Sequence, residues 1–198
     1  MDRDGAPLIV GITGMPGAGK TTAAGYLSKV GYGVISMGDV IRDEVRRRGL
    51  KPGLESQLRV MELVRKEHGP AALAVLLESK ITSMDGRVIV IDGIRSPEEV
   101  AHLGRLGSVR ILAIHASPAR RFEYLRGRGR HDDPHTWEEF RSRDFAELSL
   151  RIGEVIALAD GMIVNERATK DELGASVVDT VRSWVNQLEG SARAGHQG

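Results

Sequence analysis

Five short apolar runs punctuate the chain: Pro7 to Thr13, Gly33 to Met37, Arg87 to Ile91, Val109 to His115 and Met162 to Val164. Each has the length of a strand, and the stretches between them repeat apolar residues at helical spacing. Ala23, Tyr26, Leu27 and Val30 form one such stripe, and Leu173, Val177, Val181, Trp184 and Leu188 form another that reads as core. Strand and helix therefore alternate, which predicts a parallel sheet covered by helices on both faces. Several helix starts carry their own signal. Ser96, Thr136 and Thr169 each stand three residues before a glutamate, and Ser117 precedes Pro118.

The longest interval between strands, residues 38–86, is too long for a simple crossover. It holds three helical segments, through Val40, Ile41 and Val45, through Leu54, Leu58, Met61 and Val64, and through Leu73, Leu76 and Leu77. These are expected to form an insertion projecting beyond the sheet edge. Length then sets the domain count: 198 residues suit one domain, read here as 1–189, with 190–198 as a small, polar, disordered tail.

Charge and composition narrow the function classes. The 28 basic and 27 acidic residues balance, so no global field calls for nucleic acid or an anionic membrane surface. Without cysteine there is no disulfide, thiolate nucleophile or cysteine-ligated zinc. No apolar run approaches membrane-spanning length and Met1 to Ala6 lacks a signal-peptide core, so a soluble cytoplasmic protein is expected.

Chemistry enters at Gly14-Met15-Pro16-Gly17-Ala18-Gly19-Lys20-Thr21-Thr22, a G-x-x-x-x-G-K-T phosphate loop between a strand and a helix. Such a loop turns successive backbone N–H groups around a phosphate and sets the helix N-terminus against the same anion. Lys20 then reaches the terminal phosphates, and the Thr21 hydroxyl serves Mg2+. The strand ending at Asp92 supplies the expected acidic partner for that cation, with Arg95 on the loop above; the alternative is an ordinary Asp-Gly turn. Asp39 and Arg42 fall at the carboxyl end of the second strand, where ligands bind in open parallel sheets. There a carboxylate can orient an acceptor hydroxyl or sugar and an arginine can grip a phosphate, unless Asp39 merely caps the helix and Arg42 is a surface charge.

A third cluster runs through Arg120, Arg121, Arg126, Arg128 and Arg130 to His131-Asp132-Asp133-Pro134-His135, then Arg141 and Arg143. Its glycines and proline mark residues 126–136 as a lid whose arginines, Arg126 and Arg130 first, cover the moving phosphoryl group. The histidines and aspartates read as a solvated loop rather than a metal site, and His115 as a core residue.

Together these residues resemble the P-loop nucleoside and nucleotide kinases. Ile35 to Arg42 is similar to the adenylate kinase acceptor motif, and Ile91 to Arg95 resembles its next block without the proline and with the Asp-to-Arg spacing one shorter. Ala159 to Asn165 is similar to the late strand of dephospho-coenzyme A kinases, which implies a base contact for Asn165. The combination of Gly11 to Gly17, Met37 to Arg42 and Asp92 to Ser96 resembles an archaeal group of nucleotide kinases related to both families. That resemblance implies strand order 2-3-1-4-5, an acceptor-binding insertion at residues 38–86 and a short lid. The expected activity is transfer of the γ-phosphoryl group of ATP, with Mg2+, to a nucleotide-like acceptor, read first as a nucleoside monophosphate. The alternatives are a dephospho-coenzyme A or other hydroxyl kinase, and an ATP-binding regulator acting on a partner. Neither the acceptor nor the oligomeric state is legible in the residues.

Overall fold

A computed structural model describes residues 6–129 and 133–195. Its five strands are β1 (Leu8–Thr13), β2 (Gly33–Ser36), β3 (Val88–Asp92), β4 (Ser108–His115) and β5 (Gly161–Val164). Between β1 and β2 lies helix α1 (Lys20–Lys29), and between β2 and β3 lie α2 (Met37–Arg47), α3 (Leu54–His68) and α4 (Ala72–Ser83). Helix α5 (Pro97–Leu103) precedes β4, and α6 (Pro118–Arg128), α7 (Trp137–Leu148) and α8 (Ile152–Ala157) follow it. Helix α9 (Lys170–Gly195) closes the chain. The sheet is parallel throughout with order β2-β3-β1-β4-β5, as the resemblance implied.

All six residues of β1 are buried because the strand is central and covered on both faces. Alternate side chains sort into two cores. Leu8, Val10, Ile12, Val90, Leu112 and Ile114 pack with Ala23 and Leu27 of α1 and with Val177, Val181 and Trp184 of α9. Ile9, Ile35, Ile89, Ile91 and Ile111 pack with Leu73, Leu77 and Ile81 of α4, Leu103 of α5 and Val155 of α8. Register brings Ser36 of β2 and Ile12 of β1 level with Asp92, so three strands end together and release their loops on one side.

The loop after β3 is fastened to β1. Gly93 and Ile94 donate their N–H groups to the Ile12 carbonyl at 3.0 and 3.1 Å, and Thr13 Oγ1 donates to the Ile94 carbonyl at 2.8 Å. Gly11 permits this approach, since a Cβ there would lie 2.3 Å from Ile94 Cδ1.

Several expectations change on folding. The insertion does not simply project: α4 shares one buried core with Ile9, Ile35, Ile89 and Ile91 of the strands as well as with α2, α3 and α5. The tail expected to be disordered from Gly190 instead continues α9 as far as Gly195. His115 is exposed rather than core, because β4 outruns its cover at the carboxyl end. Arg126 to Arg128 belong to helix α6 rather than to a loop, whereas Arg130, His131 and Asp132 lie outside the described residues. The glutamate-paired caps at Ser96 and Thr136 form as read.

One polar contact ties α6 and α7 to the turn after β1. Arg121, 4% exposed, makes a two-point pair with Asp144 at 2.8 and 2.6 Å and also donates to the carbonyls of Pro16 at 3.1 Å and Ala116 at 3.2 Å. Its guanidinium lies 4.9 Å from the ring centre of buried Phe140. Removing one member of a buried pair strands the other charge, which costs about 3–5 kcal/mol. Arg121→Ala and Asp144→Ala are each expected to lower unfolding free energy by about that amount in urea titrations. A loss under about 1 kcal/mol in both would equate the pair with an exposed surface bridge.

Candidate active site

The phosphate loop joins β1 to α1, and its glycines are steric necessities. Gly17 holds φ 82° with a hypothetical Cβ 2.7 Å from the Arg121 carbonyl oxygen, and Gly19 holds φ 107° with its Cβ 2.7 Å from Asn165 Nδ2. A side chain at either place would strain the backbone and collide with what braces it.

The loop's carbonyl groups are met one by one. Lys20 Nζ donates to Gly14 O at 2.6 Å and to Met15 O at 3.2 Å. Arg121 serves Pro16, and buried Asn165 donates its amide to Ala18 O at 2.9 Å. Asn165, read from resemblance as a base contact, thus sits beneath the loop and braces it. Burial lowers the Lys20 pKa to about 8, against the opposing attraction of Asp92 and Glu147 and with the help of Arg95 and Arg143.

Thr21 and Thr22 stand in the first turn of α1, and Thr21 Oγ1 donates to Asp92 Oδ2 across 3.4 Å. Asp92 is buried and its Oδ1 has no hydrogen-bond partner. Burial raises its pKa, while the Lys20 charge and the Thr21 hydroxyl pull it down. A hydroxyl and a carboxylate with a spare buried oxygen beside a phosphate loop are the donor set that a hard cation such as Mg2+ takes, so these residues fit it. Among the described residues, no group of three or more histidines and carboxylates gathers as a metal site.

Around this centre the sequence-read residues fall unequally. Asp39 lies close enough to Asp92 to help raise its pKa, and it accepts from Arg42 Nη2 at 2.5 Å and Nε at 3.2 Å. Arg95 is brought in by the loop after β3; its backbone N–H donates to buried Glu99 at 2.8 Å, and its Nε lies 3.1 Å from Glu147 Oε2. Arg126 is turned aside, its guanidinium 5.7 Å from the Phe122 ring centre. Arg128 instead pairs with Asp133, Nε to Oδ2 at 2.9 Å, and Arg143 approaches the same carboxylate at 3.8 Å. Asp133, expected in a solvated loop, is buried by these contacts. The helical phase explains the exchange: Arg128 is seven residues, two turns, beyond loop-facing Arg121, whereas Arg126 is off that face.

Glu147 and Asp144 escape notice in the sequence as site residues, and Arg121, named in the arginine cluster, is not singled out there. The only sequence signal for the two carboxylates is the helical spacing of Arg143, Asp144 and Glu147, which also describes an ordinary charged face. An open groove of about 390 Å3 lies beyond the ends of β4 and β5, lined by Ser117, Ala119, Arg120, Glu123, Glu166 and Arg167. Ser117 Oγ donates to Glu166 across it at 3.1 Å.

Comparison with known proteins agrees with this geometry. The family model described as an AAA domain matches residues 10–146. A UPF0200 protein of Hyperthermus butylicus is 48% identical over 164 residues, covering 83% of this chain and 88% of that one. Among solved structures, TT1252 from Thermus thermophilus superposes with a TM-score of 0.68 at 19% identity, covering 90% of this chain and 97% of that one. Shikimate kinase from Bacteroides thetaiotaomicron follows with 0.57 at 16% identity, covering 90% and 98%; at such identities the likeness concerns the fold. The chain therefore belongs to the AAA-domain family of P-loop proteins and, within it, to the UPF0200 group.

Proposed function

We propose that this protein is an ATP- and Mg2+-dependent phosphotransferase with a small, nucleotide-like acceptor. The observation that carries this reading is the meeting of Lys20, Thr21 and Asp92 at the phosphate loop with Asp39 in the first turn of α2 and Arg95 on the loop after β3. Phosphoryl transfer asks for positioned charge more than covalent chemistry, and this arrangement supplies it. The shared fold of shikimate kinase supports the same class.

In the proposed reaction Lys20 exchanges the Gly14 and Met15 carbonyls for phosphate oxygens. Thr21 and Asp92 would hold Mg2+, which would supply charge neutralisation to the bound phosphates. Arg143, whose charge acts on Lys20, and Arg128, which shares Asp133 with it, are the arginines this reading assigns to the transferring group. The groove between Ser117 and Arg167 accommodates the donor base. For the acceptor, the first reading is a nucleoside monophosphate gripped by Arg42 and Arg95. A second reading, a hydroxyl on a nucleotide-like molecule, is favoured by the Glu147 carboxylate beside Arg95.

Lys20→Ala is expected to fold normally and lose most phosphoryl transfer, read by incubating the protein with γ-labelled ATP, Mg2+ and a panel of nucleotides. Normal turnover by the folded variant, or hydrolysis indifferent to every acceptor, would count against the kinase assignment.

Lys20 also makes ATP affinity depend on pH. Its pKa in the free protein is about 8, and phosphate favours the charged amine, so binding takes up a proton above that pH. The apparent Kd for ATP is expected to rise by up to about tenfold per pH unit above about pH 8 in the wild type and to stay flatter in Lys20→Ala. Calorimetric titrations across this range, repeated in buffers of different ionisation enthalpy, check both proton uptake and affinity.

A further inference from the structure

Of the carboxylates near Lys20, three already have partners or a role. Asp92 faces Thr21 and the cation position, Asp39 is 63% exposed on its side chain and held by Arg42, and Asp144 is taken by Arg121. Glu147 differs. Its side chain is only 13% exposed, and Oε2 is shut from solvent without a hydrogen-bond donor. The Arg95 Nε at 3.1 Å compensates its charge, but the N–H is not directed at the oxygen. A buried carboxylate oxygen without a donor is an exception to the rule that buried polar atoms are paired, and a hydroxyl brought by a ligand would supply the missing donor.

Glu147 also follows Asp144 by one helical turn, and Asp144 pairs with the Arg121 that grips the Pro16 carbonyl, so Glu147 lies on the side of α7 that faces the phosphate loop, where its charge acts on the Lys20 ammonium. A phosphate acceptor arriving there would bring its own negative charge against this carboxylate as well as against the γ-phosphate. An alcohol brings no charge and offers the O–H that Oε2 lacks.

Resting on the kinase reading, we propose that Glu147 is the proton acceptor of the site and that the acceptor is a nucleotide-like molecule phosphorylated on a hydroxyl. The acceptor O–H bond breaks, its proton passing to Glu147 Oε2 while the oxygen's electron pair forms the new bond to the γ-phosphorus. The bond from that phosphorus to the bridging oxygen breaks, its electron pair leaving on the β-phosphate of ADP. Arg95 holds Glu147 in place before transfer, and Asp39 with Arg42 orients the acceptor.

The test uses γ-labelled ATP, Mg2+ and the full chain with adenosine, AMP, GMP, CMP, UMP and dephospho-coenzyme A as probes. Phosphorus NMR and acid stability distinguish a phosphate ester on carbon from a phosphoanhydride. The expected product is the acid-stable ester. Glu147→Gln should lower its kcat by about a hundredfold or more with KM for ATP close to wild type, and formate should restore part of the activity of Glu147→Ala. Circular dichroism and ATP binding verify that each variant folds; should these fail, Glu147→Asp, which withdraws the carboxylate by one methylene, carries the same expectation of a kcat loss.

Each other outcome decides against the proposal in its own way. An anhydride product overturns the hydroxyl acceptor and leaves the kinase standing. Ester formation undiminished in the Glu147 variants overturns the role of Glu147 alone. Equal losses in Glu147→Gln, Arg95→Gln and the double variant, with no rescue by formate, would show that Glu147 acts only by holding Arg95. Transfer to none of the probes overturns this inference together with the kinase reading.

Discussion

A loop that commits its N–H groups to a phosphate must find donors elsewhere for its carbonyl oxygens, and the rest of this structure is arranged around that requirement. Lys20 serves Gly14 and Met15, Arg121 serves Pro16, and Asn165 serves Ala18. These donors come from α1, from α6 after β4, and from the turn after β5. The loop is thereby braced by helices and strand ends far apart in the chain, and its glycines leave room for the braces. Arg121 extends the brace further, since its pair with Asp144 places α7 and hence Glu147 over the same loop.

The charges at the centre are mutually dependent. Burial depresses the Lys20 pKa and raises that of Asp92, while each group's charge offsets the other's shift. Lys20 Nζ lies on the carbonyls of its own loop and Asp92 Oδ1 is without a hydrogen-bond partner. In the proposed complex, phosphate and a cation would satisfy both groups together, a physical reason to expect coupling between nucleotide and metal. Arg128 and Arg143 are likewise gathered on Asp133, so positive charge waits near the site in a compensated form. A buried compensating carboxylate spares the free protein the mutual repulsion of two guanidinium groups.

The helical insertion illustrates where sequence patterns lose reach. Its three helices are visible as stripes of apolar residues, yet nothing local says that α4 returns to the sheet while α2 carries Asp39 at the strand end. That distinction depends on Leu77 and Ile81 joining the buried core that also holds Ile9 and Ile89 from other parts of the chain. Similarly, the small polar residues after Leu188 resemble a tail, but those up to Gly195 extend α9. Propensity is a weak prior at a helix end, where each added residue contributes one more hydrogen bond to a helix already nucleated and packed.

The sequence by itself determined the alternation of strands and helices, the capping boxes, and the phosphate loop with Lys20, Thr21 and Asp92. Each of these is written in neighbouring residues, through periodicity, a hydroxyl three positions before a glutamate, or glycines at fixed spacing. Only the tertiary structure decided that Asn165 and Arg121 brace the loop, that Arg128 rather than Arg126 pairs with buried Asp133, and that Glu147 meets Arg95. Those choices depend on helical phase and on contacts between distant segments, and a charged residue on a helix reads the same from its neighbours whether it faces water or a buried partner.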